Sequence, residues 1–233
     1  MLVYGRNVAK EVLKNNKKVY KIIIREDFDD KSIISLIEKG NYNIESLSKK
    51  EFSKFDKYSH QGIILDIEDF NYTDYEEFLS VDNAKIVILD HIEDPHNLGA
   101  IIRTCEAAGV DGIIIPNDRE VDVNPTVIKT SVGTAYDVNI VKVVNLVDTI
   151  KTLKDNGYWI VGTSLDTDTD YKNVDYSGNI CLVIGNEGKG MSHLVSKNCD
   201  YNVKIPMYGK TNSLNASVAA GIMIYEIIGN RKR

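Results

Sequence analysis

The sequence predicts an α/β protein, with a parallel sheet covered on both faces over residues 84–233 and a smaller α/β unit over residues 1–70. Two observations carry this. From Ala84 onward, short apolar runs alternate with segments of helical periodicity, the pattern of a parallel sheet with helices on both sides. Between the halves lies EDFNYTDYEEFLSVDN (68–83), acidic and tyrosine-rich, without the Gly/Ser excess of a floppy tether. We read 71–83 as a linker with one helical turn.

In the first unit, residues 6–15 have helical character. VYKIIIR (19–25) is a β-branched strand. KSIISLIEKG repeats apolar residues at helical spacing and stops at Gly40. A strand at 42–46, a helix opened by Ser48 and the strand GIILDI (62–67) complete the unit. In the second, KIVILD (85–90), GIIIP (112–116), 138–143, GYWIVGTS (157–164), NICLVIG (179–185) and YNVKI (201–205) read as strands. Helices are expected from Leu98 to Ala108 and over 125–135, 146–155, 190–198 and 214–228.

Composition excludes several classes. No apolar run approaches the roughly 20 residues that span a bilayer, and the N-terminus lacks the apolar middle of a signal peptide. A cytoplasmic protein without a membrane is expected. Cys105, Cys181 and Cys199 form no CxxC pair and read as buried small apolar residues. The four histidines have no metal-ligand spacing, so no metal is expected. There is no G-x-S-x-G elbow for an acyl-transfer serine. The net charge of −6 does not advertise a nucleic-acid binder. Residues 1–25 nevertheless carry Arg6, Lys10, Lys14, Lys17, Lys18, Lys21 and Arg25 against Glu11 alone. That stretch suits phosphates and equally a solvated helix face.

Three segments leave a strand and enter a helix at the sheet edge where α/β proteins bind ligands. In LDHIEDPHNLGAIIRTCEAAG (89–109), Asn97 is a natural N-cap, and Leu98, Ile101, Ile102 and Cys105 form the buried stripe. Arg103 lies about 140° around the helix from Leu98, away from the core, and Gly99 clears space on that side. A surface arginine beside a chance glycine is the plain alternative. In VIGNEGKGMS (183–192), Gly185, Gly188 and Gly190 crowd a turn, which permits close backbone approach to a ligand. The spacing is neither a dinucleotide motif nor a P-loop, and Glu187 repels phosphates. A tight loop without a ligand is equally compatible. In IPMYGKTNSLNASVAAG (205–221), Pro206 is expected to end the strand, and Ser213 and Asn215 surround the start of a helix rich in small residues. Close packing alone would also explain it.

In this order, N-L-G-A-I-I-R-T (97–104), I-G-N-E-G-K-G (184–190) and I-P-M-Y-G-K-T-N-S-L-N-A-S (205–217) resemble the three signature motifs of the SPOUT superfamily, in its SpoU/TrmH-type branch of RNA ribose methyltransferases. Y-G-R-N-V-A-K-E-V-L (4–13) and H-Q-G-I (60–63) resemble the beginning and end of the substrate-binding domain of its ribosomal-RNA members. The resemblance implies S-adenosylmethionine as cofactor, a deep trefoil knot in residues 84–233, a homodimer whose active site draws on both subunits, and a guanosine ribose of 23S ribosomal RNA as target. Transfer-RNA enzymes share the motifs and remain an alternative. It further implies that Gly185, Ile205 and Leu214, joined by Thr163, hold the cofactor. Arg103 matches the essential arginine, Asn97 its supporting asparagine, Glu187 the motif glutamate, and Ser213 and Asn215 the polar pair of the third motif. A non-catalytic RNA-binding assembly factor would not need this set intact. A nucleotide-dependent oxidoreductase would need the absent G-x-G-x-x-G.

The implied reaction is displacement at a methyl carbon by a ribose 2′-oxygen. Arginine is very hard to deprotonate. We therefore expect Arg103 to hold a neighbouring phosphate and stabilise charge on that oxygen, while Ser213 or Asn215 orients the hydroxyl.

Overall fold

The structure is a computed structural model that describes residues 1–15, 17–79 and 81–229. The first unit runs β1 (Leu2–Tyr4), α1 (Arg6–Lys14), β2 (Val19–Arg25), α2 (Lys31–Glu38), β3 (Ile44–Leu47), α3 (Lys49–Phe52) and β4 (Ile63–Ile67). Its sheet has the order β1-β4-β2-β3, with β4 antiparallel to both neighbours and β2 parallel to β3. Ser48 opens α3 through a capping box with Glu51. Strand β1 was not foreseen, because three residues are too short to show a period. Four of the seven basic groups in residues 1–25 face carboxylates of their own unit: Arg6 with Asp29, Lys14 with Glu11, Lys21 with Glu45 and Arg25 with Asp27.

The connecting segment contains α4 (Glu76–Leu79) and is fastened to the second unit. Thr73 bridges Val141, and the Tyr72 hydroxyl donates to Asp122 and accepts from the Val123 N–H, each at 3.0 Å. Burial pushes the Tyr72 phenol up to about 12.

The second unit continues with β5 (Lys85–Asp90), α5 (Pro95–Ala108), β6 (Gly112–Pro116), α6 (Pro125–Thr130), β7 (Ile140–Val143), α7 (Leu146–Asp155), β8 (Trp159–Thr163), β9 (Ile180–Gly185), α8 (His193–Asn198), β10 (Tyr201–Val203) and α9 (Ala216–Gly229). All six strands are parallel, in the order β10-β8-β9-β5-β6-β7. Alternate strand residues enter opposite cores. Ile86, Ile88 and Val183 pack with Leu146, Ile150 and Leu153 of α7, whereas Val87, Leu89 and Leu182 join the core of α5 and α9. The chain leaves β5 toward β6 and leaves β9 toward β10, on the far side of β8. The switch point therefore lies between β5 and β9, whose ends pair at Asp90 and Gly185. Among the described residues no helix is long and apolar enough to cross a membrane.

Several local expectations are corrected. Helix α5 begins at Pro95, capped by Asp94, whose carboxylate accepts from the His96 N–H; Asn97 is not the cap. Proline at the first helical position needs no N–H acceptor, which fixes the start there. Gly99 does not clear space for Arg103: a Cβ there would lie 2.6 Å from Thr130 Cβ, so it admits α6. The 125–135 helix stops at Thr130 because Val132 and Gly133 turn left-handed. Strand β10 ends at Val203, with Lys204 bridging Asp170, so Pro206 does not terminate it. The stripe Leu98, Ile101, Ile102 and Cys105 is fully buried, and Gly109 ends α5 in the left-handed region.

Candidate active site

Strand β9 delivers the chain at Gly185 into a turn that folds back on itself. Asn186 and Gly190 exchange backbone hydrogen bonds at 3.1 and 2.8 Å. The Asn186 side chain accepts from the Gly188 and Lys189 N–H groups and donates to the His91 carbonyl at 2.8 Å. A Cβ on Gly185 would sit 2.2 Å from the Met191 nitrogen and 2.4 Å from the Gly190 carbonyl carbon. Glycine is required there by the turn's own backbone. Asp90, fully buried at the end of β5, clamps the other side: Oδ2 accepts from the Ser192 N–H at 2.6 Å, and Oδ1 meets His91 Nδ1 at 2.5 Å.

The three motif segments meet in one side-chain network. Asn97, only 6% exposed, donates through Nδ2 to Glu187 Oε1. Asn215 donates through Nδ2 to the same oxygen and to Asn97 Oδ1, each at 3.1 Å. Its own Oδ1 accepts from the Ser217 and Val218 N–H groups, so Asn215 also caps α9. One carboxylate thus gathers two carboxamides that lie 118 residues apart in the chain.

Beside the network, at the carboxyl ends of β8 and β9, opens a cleft of about 810 Å³. Thr163, Gly185, Ile205 and Leu214 all line it, as do Glu187 and Ser213. Thr163 Oγ1 is held by the Val183 carbonyl at 3.1 Å. Arg103, Asn97 and Asn215 are not among the lining residues. Arg103 is exposed on α5 and has no ion pair or hydrogen-bond partner among the described residues. The wall carries Asp90, Glu93, Asp166 and Glu187 against Arg119 and Lys189, a balance that favours a neutral or cationic ligand over a phosphate.

The sequence reading missed Asp90, His91 and Asn186, which build the cleft wall, and Glu120 behind it. Glu120 Oε2 accepts from the Ile92 N–H at 2.6 Å, while Oε1 is buried and makes no hydrogen bond of normal geometry among the described residues. Burial pushes this carboxyl up to about 9. The one available signal was an aspartate closing an apolar strand at the ligand edge of the sheet. Among the described residues no cluster of three or more His, Cys, Asp or Glu is placed to hold a metal.

A parallel sheet with a cleft and a satisfied polar network at its switch point defines an α/β ligand-binding enzyme. Residues 84–225 match the SpoU rRNA Methylase family, and residues 2–73 match the RNA 2′-O ribose methyltransferase substrate-binding family. The chain belongs to the SpoU methylase family and is an S-adenosylmethionine-dependent RNA 2′-O-ribose methyltransferase. It is 41% identical, over 99% of its length and 96% of the relative's, to a Staphylococcus saprophyticus protein assigned to the TrmH family of tRNA/rRNA methyltransferases. The AdoMet-bound rRNA methyltransferase of Sinorhizobium meliloti is 25% identical, with a TM-score of 0.81 over 97% of this chain and 85% of that one. The SpoU methyltransferase AviRb of Streptomyces viridochromogenes, solved with AdoMet, shares the fold at 24% identity, with a TM-score of 0.85 over 98% of this chain and 89% of that one.

Proposed function

We propose that the chain methylates the ribose 2′-hydroxyl of a guanosine in 23S ribosomal RNA. The observation that carries this reading is the Asn97–Glu187–Asn215 network, one residue from each motif, beside a single cleft. Its support for a ribosomal target is the N-terminal unit, together with the whole-chain likeness to a protein described as an rRNA methyltransferase. Such a substrate puts the work in the cytoplasm.

The cleft fits S-adenosylmethionine on its own chemistry. Ile205 and Leu214 offer apolar cover, the Gly185 turn offers backbone groups, and the acidic wall complements a sulfonium. When bound, the cofactor supplies a methyl group on cationic sulfur and leaves as a neutral thioether. In this reading the chain's residues act on the nucleophile and its surroundings. Ser213, exposed at the cleft, orients the hydroxyl, and Asn215 and Asn97 hold Glu187 in one position. Arg103 holds a neighbouring phosphate and stabilises charge growing on the 2′-oxygen. Most of the rate then comes from alignment.

Because Arg103 lies outside its own chain's cleft, we assign it to the cleft of a second copy. Support comes from α9, which packs on α5 and leaves Val218 and Tyr225 more than half exposed. A homodimer would cover these apolar side chains. The deciding experiment is ribose-methylation mapping of ribosomal and transfer RNA from cells with and without the gene. Loss of one 2′-O-methylguanosine in 23S RNA is expected. An unchanged 23S pattern with a lost transfer-RNA mark would overturn the ribosomal assignment.

A further inference from the structure

The protein binds RNA with a net charge of −6, and four of its seven N-terminal basic groups are occupied by its own carboxylates. Capture must therefore rest on local features. One stands out at the junction of the two units. The rings of Tyr4 and Tyr58 stack at 4.7 Å between centroids, 28° apart. Lys57 Nζ lies 4.9 Å from the centre of the Tyr58 ring, and Lys129 Nζ lies 5.1 Å from that of Tyr4. Neither lysine meets a carboxylate among the described residues. Tyr4 and Tyr58 are only partly buried. The stack belongs to the N-terminal unit, whereas Lys129 belongs to α6 of the second unit.

The patch continues toward the active site by direct contacts. Thr130, next to Lys129, places Oγ1 3.3 Å from His96 Nδ1. His96 is exposed in the first turn of α5 and adjoins Asn97, which bonds Glu187. Aromatic rings under flexible ammonium groups are the chemistry that takes unpaired nucleotides: the outer face of each ring, covered here by a lysine, receives a base when that lysine swings out to meet the phosphate. An A-form duplex offers its bases no such contact.

We propose that Tyr4, Tyr58, Lys57 and Lys129 form the entry of a track for a single-stranded stretch of the substrate RNA, running past Thr130 and His96 to the active site. The proposal rests on the RNA methyltransferase reading and adds where, and in what form, the RNA is held. It makes the domain junction part of the substrate site, since the stack and one of its two cations come from different units.

The test uses the full chain and a 5′-fluorescein-labelled single strand of about 20 nucleotides, a length that spans several stacking sites, alongside the same strand in a duplex. Binding is read by anisotropy over a salt series. Tyr58→Ala is expected to weaken the single-strand complex by about 5-fold or more, in line with loss of a base–aromatic stack, and Tyr58→Phe is expected to restore it. Lys129→Gln is expected to weaken binding and lower the salt slope by about one, as for one lost phosphate contact. Calorimetric affinity for S-adenosylmethionine should be unchanged in all variants. If Lys129 were only an interdomain clamp, Lys129→Gln would lower the melting temperature and leave the salt slope intact, which would overturn the proposal. Equal losses on the duplex would also overturn it. Methyl transfer by the wild type is measured in parallel; its absence would count against the enzyme reading, whereas the binding arm decides the track by itself.

Discussion

Asn215 Nδ2 donates to Glu187 Oε1 at 3.1 Å while Asn215 Oδ1 caps the last helix. One carboxamide thus serves the fold with its oxygen and the site with its nitrogen. Asn215→Asp separates the two. A carboxylate still caps α9 and suits a helix N-terminus, so the melting temperature should hold within a few degrees. It no longer donates to Glu187 and sets a like charge beside it. Methyl transfer should fall at least about 10-fold, since a lost charge-assisted hydrogen bond is worth more than about 1.4 kcal/mol. Parallel melting curves and transfer assays check this.

Gly185→Ala should collapse the cleft rather than trim it. The new Cβ would lie 2.2 Å from the Met191 nitrogen, and that contact is backbone, which cannot swing aside. The turn that carries Glu187 must move. Calorimetry should show S-adenosylmethionine binding weakened by at least about 10-fold, or about 1.4 kcal/mol. Retained affinity would show that the turn does not form the binding wall.

Glu120 gives a pH signature of unusual sign. Its folded pKa is raised to about 9 from 4.5, by burial first. Between those values the folded chain keeps a proton that the unfolded chain releases. The unfolded state therefore gains as pH rises, and this group's stabilising contribution is present at acid pH and lost through that window. Glu120→Gln carries no such proton. Its stability should fall less steeply between about pH 5 and 9, and above wild type at pH 8. Urea melts across the range read both.

Arg103→Ala should reduce methyl transfer by about 100-fold or more, the usual cost of removing an electrostatic stabiliser. Affinity for S-adenosylmethionine should survive, because Arg103 does not line the cleft of its own chain. Mixing Arg103→Ala with Glu187→Ala subunits should recover part of the activity if the two residues serve one site from different copies. No recovery in verified mixed dimers would put both residues in one chain's site.

Much of this arrangement was legible in the residues. The apolar runs 85–90 and 112–116 and the periodic 146–155 fall on β5, β6 and α7, because burial on both faces or on one stripe leaves a strong pattern. The cleft-lining set Thr163, Gly185, Ile205 and Leu214 came from motif resemblance, and the structure places all four on one cavity. What stayed hidden depended on partners far along the chain. Asp90 is tolerable in the core because Ser192, 102 residues away, supplies an N–H. Gly99 read as space for Arg103 because nothing in the sequence places Thr130 against it. Asn97 looked like a cap because its residue type suits one, while Asp94 with Pro95 gives the stronger start.

The central claim is that these converging turns direct methyl transfer to a ribose oxygen of RNA. Purified chain, tritiated S-adenosylmethionine and 23S RNA, followed by alkaline hydrolysis, test it most directly. Methylation of a 2′-oxygen blocks cleavage at the next phosphate, so the label should appear in an alkali-resistant dinucleotide beginning with guanosine, and should vanish with Arg103→Ala. Label released in mononucleotides, which marks a methylated base, would contradict the account.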